Sequence, residues 1–459
     1  MSYRSLSYWF DSLGAEPEPR TALPGDLEVD VAIVGGGFTG LWTAYYLAIA
    51  DPSLRVAVLE RETAGFGASG RNGGWCMAVI HGLTSYVARD PERGGALRDA
   101  VKATTDEIER VCAAEQIEAD VYRNGGITLA TNPAQASRLQ DSLKAQLAAG
   151  MTEADYRWLE PAEVTQIMRV ASNFGGTFMG NAALLNPAKL ARGLADAAER
   201  RGAAIYEQTP VLAVEPGLVR TARGEVRAAR IVLALDAYVA QIPGRERHAL
   251  PVYNHMIATE PLPSKVWERI GLRNHEGFGD AQRMLTYAQR TADDRIAIGG
   301  RSLGYRYGSR IDARFERAEH VERWLVEALR QYFPDLGDFA VTHRWGGVLG
   351  LPRDFIVSLG FDEATGIAVG PNYAGDGVCA SNLAGRTLCD LLRDHKSELV
   401  ELPWVHHRSP RWEPEPLRWL GVRLGGALNT SADRAEIRTG RRSPLREGVM
   451  RGLGFEFGY

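Results

Sequence analysis

Three consecutive glycines separate a β-branched run from an apolar helical stretch in VDVAIVGGGFTGLWTAYYL, Val29 to Leu47. Gly35, Gly37 and Gly40 have the GxGxxG spacing. The first glycine permits a tight turn, the second lets a pyrophosphate approach the backbone, and the third lets helix and strand pack closely. The N-terminus of the following helix then presents unpaired amides to the phosphates. A second apolar run, Val56 to Leu59, ends at Glu60, a carboxylate placed to meet ribose hydroxyls and to favour an unphosphorylated ribose. Strand, glycines, helix, second strand and terminal acid together specify a dinucleotide site.

Five positions after Glu60 begins GFGASGRNGGWC, Gly65 to Cys76, a second loop of small residues. A mobile surface loop is the plain reading. The pairing of Arg71 and Asn72 with a glycine pair instead suggests backbone pressed against a large planar ligand, with a basic group near phosphate. Near the C-terminus the opening grammar returns: Gly366 to Val369 reads as a short strand, GPNYAGDGV as a glycine-rich turn and Ser381 to Leu392 as a helix.

With these blocks on view, the chain resembles the D-amino-acid oxidase superfamily of FAD-dependent amine oxidoreductases, in particular its gamma-glutamylputrescine oxidase-like branch. The resemblance rests on VAIVGGGFTGLWTAYYL with LERE, on GASGRNGG, on NPAKLARGLADAAERRGAAIYEQTPV and on GIAVGPNYAGDGVCASNLAGR. It implies FAD, expected to be non-covalent because the attachment segment lacks a cysteine, with Gly35, Gly37, Phe38, Thr39 and Gly40 at the pyrophosphate and Glu60 with Arg61 at the adenosine end. Ala68, Ser69, Arg71, Asn72, Gly73 and Gly74 would run along the ribityl chain toward the flavin ring. Val211, in the strand after a helix capped by Asn186 and started by Pro187, would meet the adenine through its backbone. Gly375, Asp376, Gly377 and Val378 would touch the flavin, with a second helix N-terminus stabilising its anionic reduced form.

The implied chemistry is hydride transfer from the carbon beside an amine nitrogen to flavin N5, followed by hydrolysis of the imine. A neutral amine donates best, so a dry, aromatic cavity is expected. Trp345, Tyr287 and Tyr305 are candidate walls of that cavity, with an ordinary core role as the alternative for each. Sarcosine oxidase-like relatives carry a carboxylate-gripping lysine just after the C-terminal flavin turn, where this chain has Cys379. Asp376 is then open to two roles, attracting a cationic amine or capping the following helix. An amine or polyamine-like donor is favoured over a small amino acid. The segment matching the covalent FAD attachment of those relatives, His343 to Asp354, holds no cysteine. Cys76, near the flavin loop, is a small apolar residue or a weaker candidate for a covalent bond. Ala297 stands where sarcosine oxidases have an oxygen-activating lysine. Arg301 and Arg306 are solvated arginines or a grip for an acidic substrate end.

These residues need a frame. At 459 residues the chain exceeds what one core usually supports. The expected class is α/β, α+β overall: a Rossmann-like FAD-binding domain (26–84, 160–240 and 345–400) interleaved with a substrate domain (85–159 and 241–344) on a mostly antiparallel sheet. Within the latter, a helix is expected between Leu97 and Glu115, and strands around Ile127 to Ala130, Val252 to Ala258 and Ile296 to Gly300. Residues 401–459 form a basic, aromatic tail, with ten arginines against six carboxylates from Arg408 onward. It either wraps the surface or meets a partner protein or an anionic membrane face, because Trp412, Trp419 and Leu420 accompany the charge.

A net charge of -4 argues against a nucleic-acid partner. Four scattered cysteines suggest neither zinc ribbon nor disulfide framework, and the nine histidines show no metal-ligand spacing, so no metal is expected. The N-terminus lacks a basic region followed by an apolar core, and no apolar run is long enough to span a bilayer, so a cytoplasmic protein is expected. The leading functional expectation is an amine oxidase passing electrons to oxygen. The alternatives are a dehydrogenase reducing a quinone or carrier protein, and a flavin-binding subunit without turnover.

Overall fold

Val31, Ile33 and Val34 are apolar and β-branched, and the strand that holds them, Leu27–Val34, lies inside a sheet covered on both faces, so they are buried whichever way they point. In the computed structural model, which describes residues 2–300 and 304–453, this strand pairs in parallel with Val56–Leu59 on one side and Glu225–Leu233 on the other. Ala204–Tyr206 and Ile367–Val369 extend the parallel set outward, the edge strand Gly360–Asp362 pairs antiparallel with Ile367–Val369, and the Val211–Glu215 and Leu218–Thr221 hairpin pairs antiparallel with the interior strand Glu225–Leu233. The second sheet has the strand order Val341–Leu351, Leu250–Thr259, Ile296–Gly300, Thr286–Arg290, Gly277–Asp280, Gly126–Leu129, Gly176–Met179, Tyr156–Leu159. All of its pairings are antiparallel except Gly277–Asp280 with Gly126–Leu129. The chain is thus mixed α/β, as the sequence leads one to expect.

The two sheets draw on segments from across the chain. Tyr156–Leu159, Gly176–Met179 and Val341–Leu351 all join the second sheet. Conversely the helix Pro91–Glu115 packs its Leu97, Val101, Ile108 and Val111 into the same buried cluster as Leu41, Trp42 and Leu190 of the first domain. Its apolar spacing marks a buried face but says nothing about which sheet receives it. Helix Pro187–Arg200 is N-capped by the Asn186 side chain, which accepts from the Lys189 amide.

The tail is helical, with Leu417–Thr439 followed by Pro444–Leu453. It is tied down by charge. Arg283, 4 % exposed, donates to Glu436 (2.6 Å) and Glu447 (2.7 Å), and Arg138 donates to Glu436 (2.9 Å). Among the described residues no helix is long and apolar enough to cross a membrane.

Gly35 sits at φ +110°, and a Cβ on Gly40 would lie 2.0 Å from the Gly35 carbonyl oxygen. The helix Phe38–Ala50 can start this close to its strand only without that carbon. Gly40→Ala is therefore expected to cost about 1–3 kcal/mol of stability, whereas Gly25→Ala, which meets nothing within 4 Å, should stay within about 0.5 kcal/mol of the parent. Denaturant unfolding of the two variants distinguishes a steric requirement from a general intolerance of side chains.

Candidate functional site

Strands Leu27–Val34, Glu225–Leu233 and Ile367–Val369 are adjacent and parallel, so their C-terminal ends open on one edge of the sheet. Ligands of open α/β sheets bind at such an edge. Each strand there releases a different device. The first enters the glycine turn and the helix Phe38–Ala50, the second runs into Ala234 to Asp236, and the third leads through Tyr373 to Gly375 and the helix Gly377–Leu392. Both glycine bends line a single elongated cleft, which encloses about 1220 Å³ including space open to solvent.

Of the residues expected at a cofactor, Gly35, Gly37, Phe38 and Thr39 line this cleft, as do Glu60, Arg61 and Val211 at one end and Ala68, Ser69 and Asn72 along it. Gly375, Gly377 and Val378 line the other end. Glu60 accepts from the Gly36 amide at 2.7 Å and the Glu62 amide at 2.9 Å, and burial raises its pKa despite those bonds. Each oxygen keeps a lone pair for a further donor. The Ser69 hydroxyl accepts from the Phe38 amide (2.8 Å), tying the second loop to the helix start.

Gly40, Arg71, Gly73, Gly74 and Asp376 do not line the cleft. Gly40 serves the strand–helix contact already described. Arg71, expected as a basic group near phosphate, has its fully buried guanidinium paired with Glu316 at 2.8 Å, donating to the Gly346 carbonyl and lying over the Phe66 ring. Gly73 and Gly74 instead admit their neighbours, since added Cβ atoms would fall 2.4 Å from the Tyr287 ring and 2.1 Å from the Leu185 carbonyl oxygen. Asp376 occupies the N-cap position of the second helix but makes no capping bond. Its carboxylate pairs with His81 Nε2 at 2.9 Å. Burial would lower the His81 pKa, and Asp376 more than offsets it, so the net shift is upward.

The three candidate aromatic walls separate. Trp345 is 2 % exposed and donates its indole N–H to the Arg71 carbonyl (2.9 Å), so it positions the loop. Tyr305 bonds Glu415 and packs with Trp412 and Val422 beneath the tail, a structural role. Tyr287 alone adjoins the glycine pair, and its hydroxyl has no protein partner among the described residues. Arg301 lies outside the described residues, while Arg306 stacks on Phe315. Two residues of the loop's support went unseen in the sequence: Trp9 donates to the Asn72 carbonyl (2.8 Å) and Gln289 to the Gly73 carbonyl (2.6 Å). Both are far away in the chain, and no local pattern marks them.

Tyr373, Tyr238 and Asp236 also line the cleft without having been anticipated. The Tyr373 hydroxyl bonds Thr39 Oγ1 at 2.6 Å, joining the two bends directly. Asp236 follows the C-terminal end of its strand, a position that the edge rule would have marked. It accepts from the Gly350 amide at 3.0 Å while its Oδ1 is buried without a partner, and burial raises its pKa to about 6 against the backbone bonds that lower it.

The site fits an adenine dinucleotide such as FAD on its own chemistry. A helix start can present amides to a pyrophosphate, a carboxylate sits at the tip of the second strand, and the far bend leaves open space where a Cβ on Gly375 would meet nothing within 4 Å. All four cysteines are buried, none lines the cleft, and Cys76 adjoins Cys379. Among the described residues no cluster of His, Cys, Asp and Glu could hold a metal ion.

A family model described as "DAO: FAD dependent oxidoreductase" matches residues 30–391. Gamma-glutamylputrescine oxidoreductase of Escherichia coli (strain K12) is 32% identical over 407 residues, which span 86% of this chain and 90% of that one. Sarcosine oxidase subunit beta of an Arthrobacter species is 23% identical, over 86% of this chain and 93% of its own. Among solved structures, glycine oxidase from Geobacillus kaustophilus superposes with a TM-score of 0.69 at 22% identity, covering 83% of this chain and 99% of that one.

Asp236 yields a pH test. A carboxyl raised from 3.8 to about 6 on folding contributes stability that is complete below pH 3.8 and lost as pH rises through about 6. Asp236→Asn keeps the shape without the charge, so it should stabilise the protein by up to about 3 kcal/mol above pH 7 and by little at pH 4. Thermal unfolding across that range checks it, and a difference that does not change with pH would contradict the assignment.

Proposed function

Because this chain belongs to the DAO family of FAD-dependent oxidoreductases, we propose that it oxidises the C–N bond of a polyamine-like or secondary amine, with oxygen as acceptor and hydrogen peroxide as product. The observation that carries this reading is that both glycine bends line one cleft. FAD, when bound, supplies the hydride acceptor for the carbon beside the amine nitrogen. The chain supplies placement. Amides at the start of Phe38–Ala50 would bind the pyrophosphate, Glu60 would accept from ribose, and Ala68, Ser69 and Asn72 would line the cofactor's path, in a loop whose carbonyls are held by Trp345, Trp9 and Gln289.

Binding is non-covalent in this reading, supported by the absence of any cysteine from the cleft lining. Tyr287 is the aromatic wall we favour for the amine, since its hydroxyl finds no partner among the described residues and it adjoins Gly73. Asp376 can attract a cationic amine only in competition with His81. A cytoplasmic location accords with this chemistry. A quinone or carrier protein as acceptor is the second reading, favoured by Ala297, which is fully buried with Met256 and Trp345 and brings no cation to that wall.

Acid denaturation of the purified protein should release its yellow chromophore intact. Anaerobic titration with a panel of amines and amino acids should bleach the flavin band with amines before amino acids, and air should restore the band with peroxide formed. Rapid return of the band with a quinone but not with air would transfer the assignment to a dehydrogenase. Glu60→Ala should loosen the cofactor about tenfold or more, the loss of a charge-assisted bond, measured by flavin retained through gel filtration.

A further inference from the structure

The tail helix Leu417–Thr439 presents its faces in an unusual sense. Its buried side carries Val422, Gly425, Asn429, Asp433 and Glu436, at helical spacing, with the two acids held by Arg283. Glu447 of the next helix is buried against the same arginine. Every carboxylate of the two helices therefore faces inward. Three leucines face out: Leu417, Leu420 and Leu424, at i, i+3 and i+7, are 61%, 53% and 51% exposed. Ile437, on the opposite flank of the outer side, is 59% exposed, and Leu445 of the next helix is 83% exposed. Among these lie the exposed Arg423, Arg434 and Arg438, and the latter two have no ion-pair partner among the described residues. Trp419 completes the face, with Arg423 over its ring at 5.2 Å and Tyr307 edge-on at 6.5 Å.

A helix that only covered its domain would turn its leucines in and its acids out. Here burial has gone to the ion cluster, and the leucines are left for something else. A second copy of the chain is a poor occupant, because a self-complementary contact would set this face's arginines against one another with no carboxylate between them. The pattern of leucines and interspersed arginines on the outer side of the helix, flanked by Trp419 with Tyr307 of a neighbouring turn against it, is that of an interfacial segment. We propose that the outer face of the tail helices docks on an anionic phospholipid surface, with the leucines at the acyl boundary, the arginines on lipid phosphates and Trp419 with Tyr307 at headgroup level. No helix among the described residues can span a bilayer, so the association is peripheral.

The test uses the full-length, flavin-loaded protein and sedimentation with vesicles of phosphatidylcholine alone or mixed with phosphatidylglycerol. Recovery should be about tenfold higher with the anionic vesicles and should fall as salt is raised. Leu420→Asp with Leu424→Asp, and separately Arg434→Glu with Arg438→Glu, should abolish that recovery while flavin content and amine bleaching stay at the parent level. Arg434→Lys with Arg438→Lys should keep it. Equal recovery with both vesicle types, or double variants that sediment like the parent, would overturn the proposal. So would light scattering that shows a dimer dispersed by Leu424→Asp, or the absence of vesicle binding alongside capture of an acidic protein that the arginine variants lose.

Discussion

The two glycine bends share one cleft because the helices that spring from them pack backbone against backbone. A Cβ on Gly385 would lie 2.5 Å from Trp42 Cβ and 2.9 Å from the Thr43 amide nitrogen, so the helix Gly377–Leu392 approaches Phe38–Ala50 as closely as main chains permit. The Thr39–Tyr373 hydrogen bond closes the same gap at the helix starts. With strand Glu225–Leu233 lying between the two parent strands, the separation of the bends is set by sheet spacing and helix contact together. The rest of the site is arranged around that fixed distance.

Within it, polar groups divide by where their bonds go. The loop 68–74 keeps its shape through bonds made on the side away from the cleft, to Trp9, Gln289 and Trp345. Two of these come from the second sheet, so that sheet braces the loop beside the cleft. Arg71 and Glu316 neutralise each other in the same layer. Asp236 is the exception, a carboxyl with one oxygen unpartnered beside the cleft, where burial outweighs its backbone bonds.

The second domain and the tail follow different logic. The antiparallel sheet buries a conventional apolar cluster that includes Phe278, Ile298 and Leu329. The tail adheres to it through Arg283 and its carboxylates, an attachment that fixes geometry more than it adds stability, since a buried ion cluster spends much of its attraction on desolvation.

Local pattern carried a good deal. The GxGxxG turn, the strand Val56–Leu59 with Glu60 at its tip, and the Asn186 cap are all features of a few adjacent residues, and each is legible because the physics that produces it acts within one turn or strand. Long-range partnership was not legible. Nothing near Arg71 foretells Glu316, nothing near Asp376 foretells His81, and the spacing of Pro91–Glu115 does not say which sheet it will cover. Sequence by itself determined that two helix starts with glycine bends exist and that one is followed by a ribose-seeking acid. Only the tertiary structure decided that they face one cleft, that Arg71 leaves it and that Asp236 enters it, because those outcomes depend on contacts between segments hundreds of residues apart, whose energies no local pattern records.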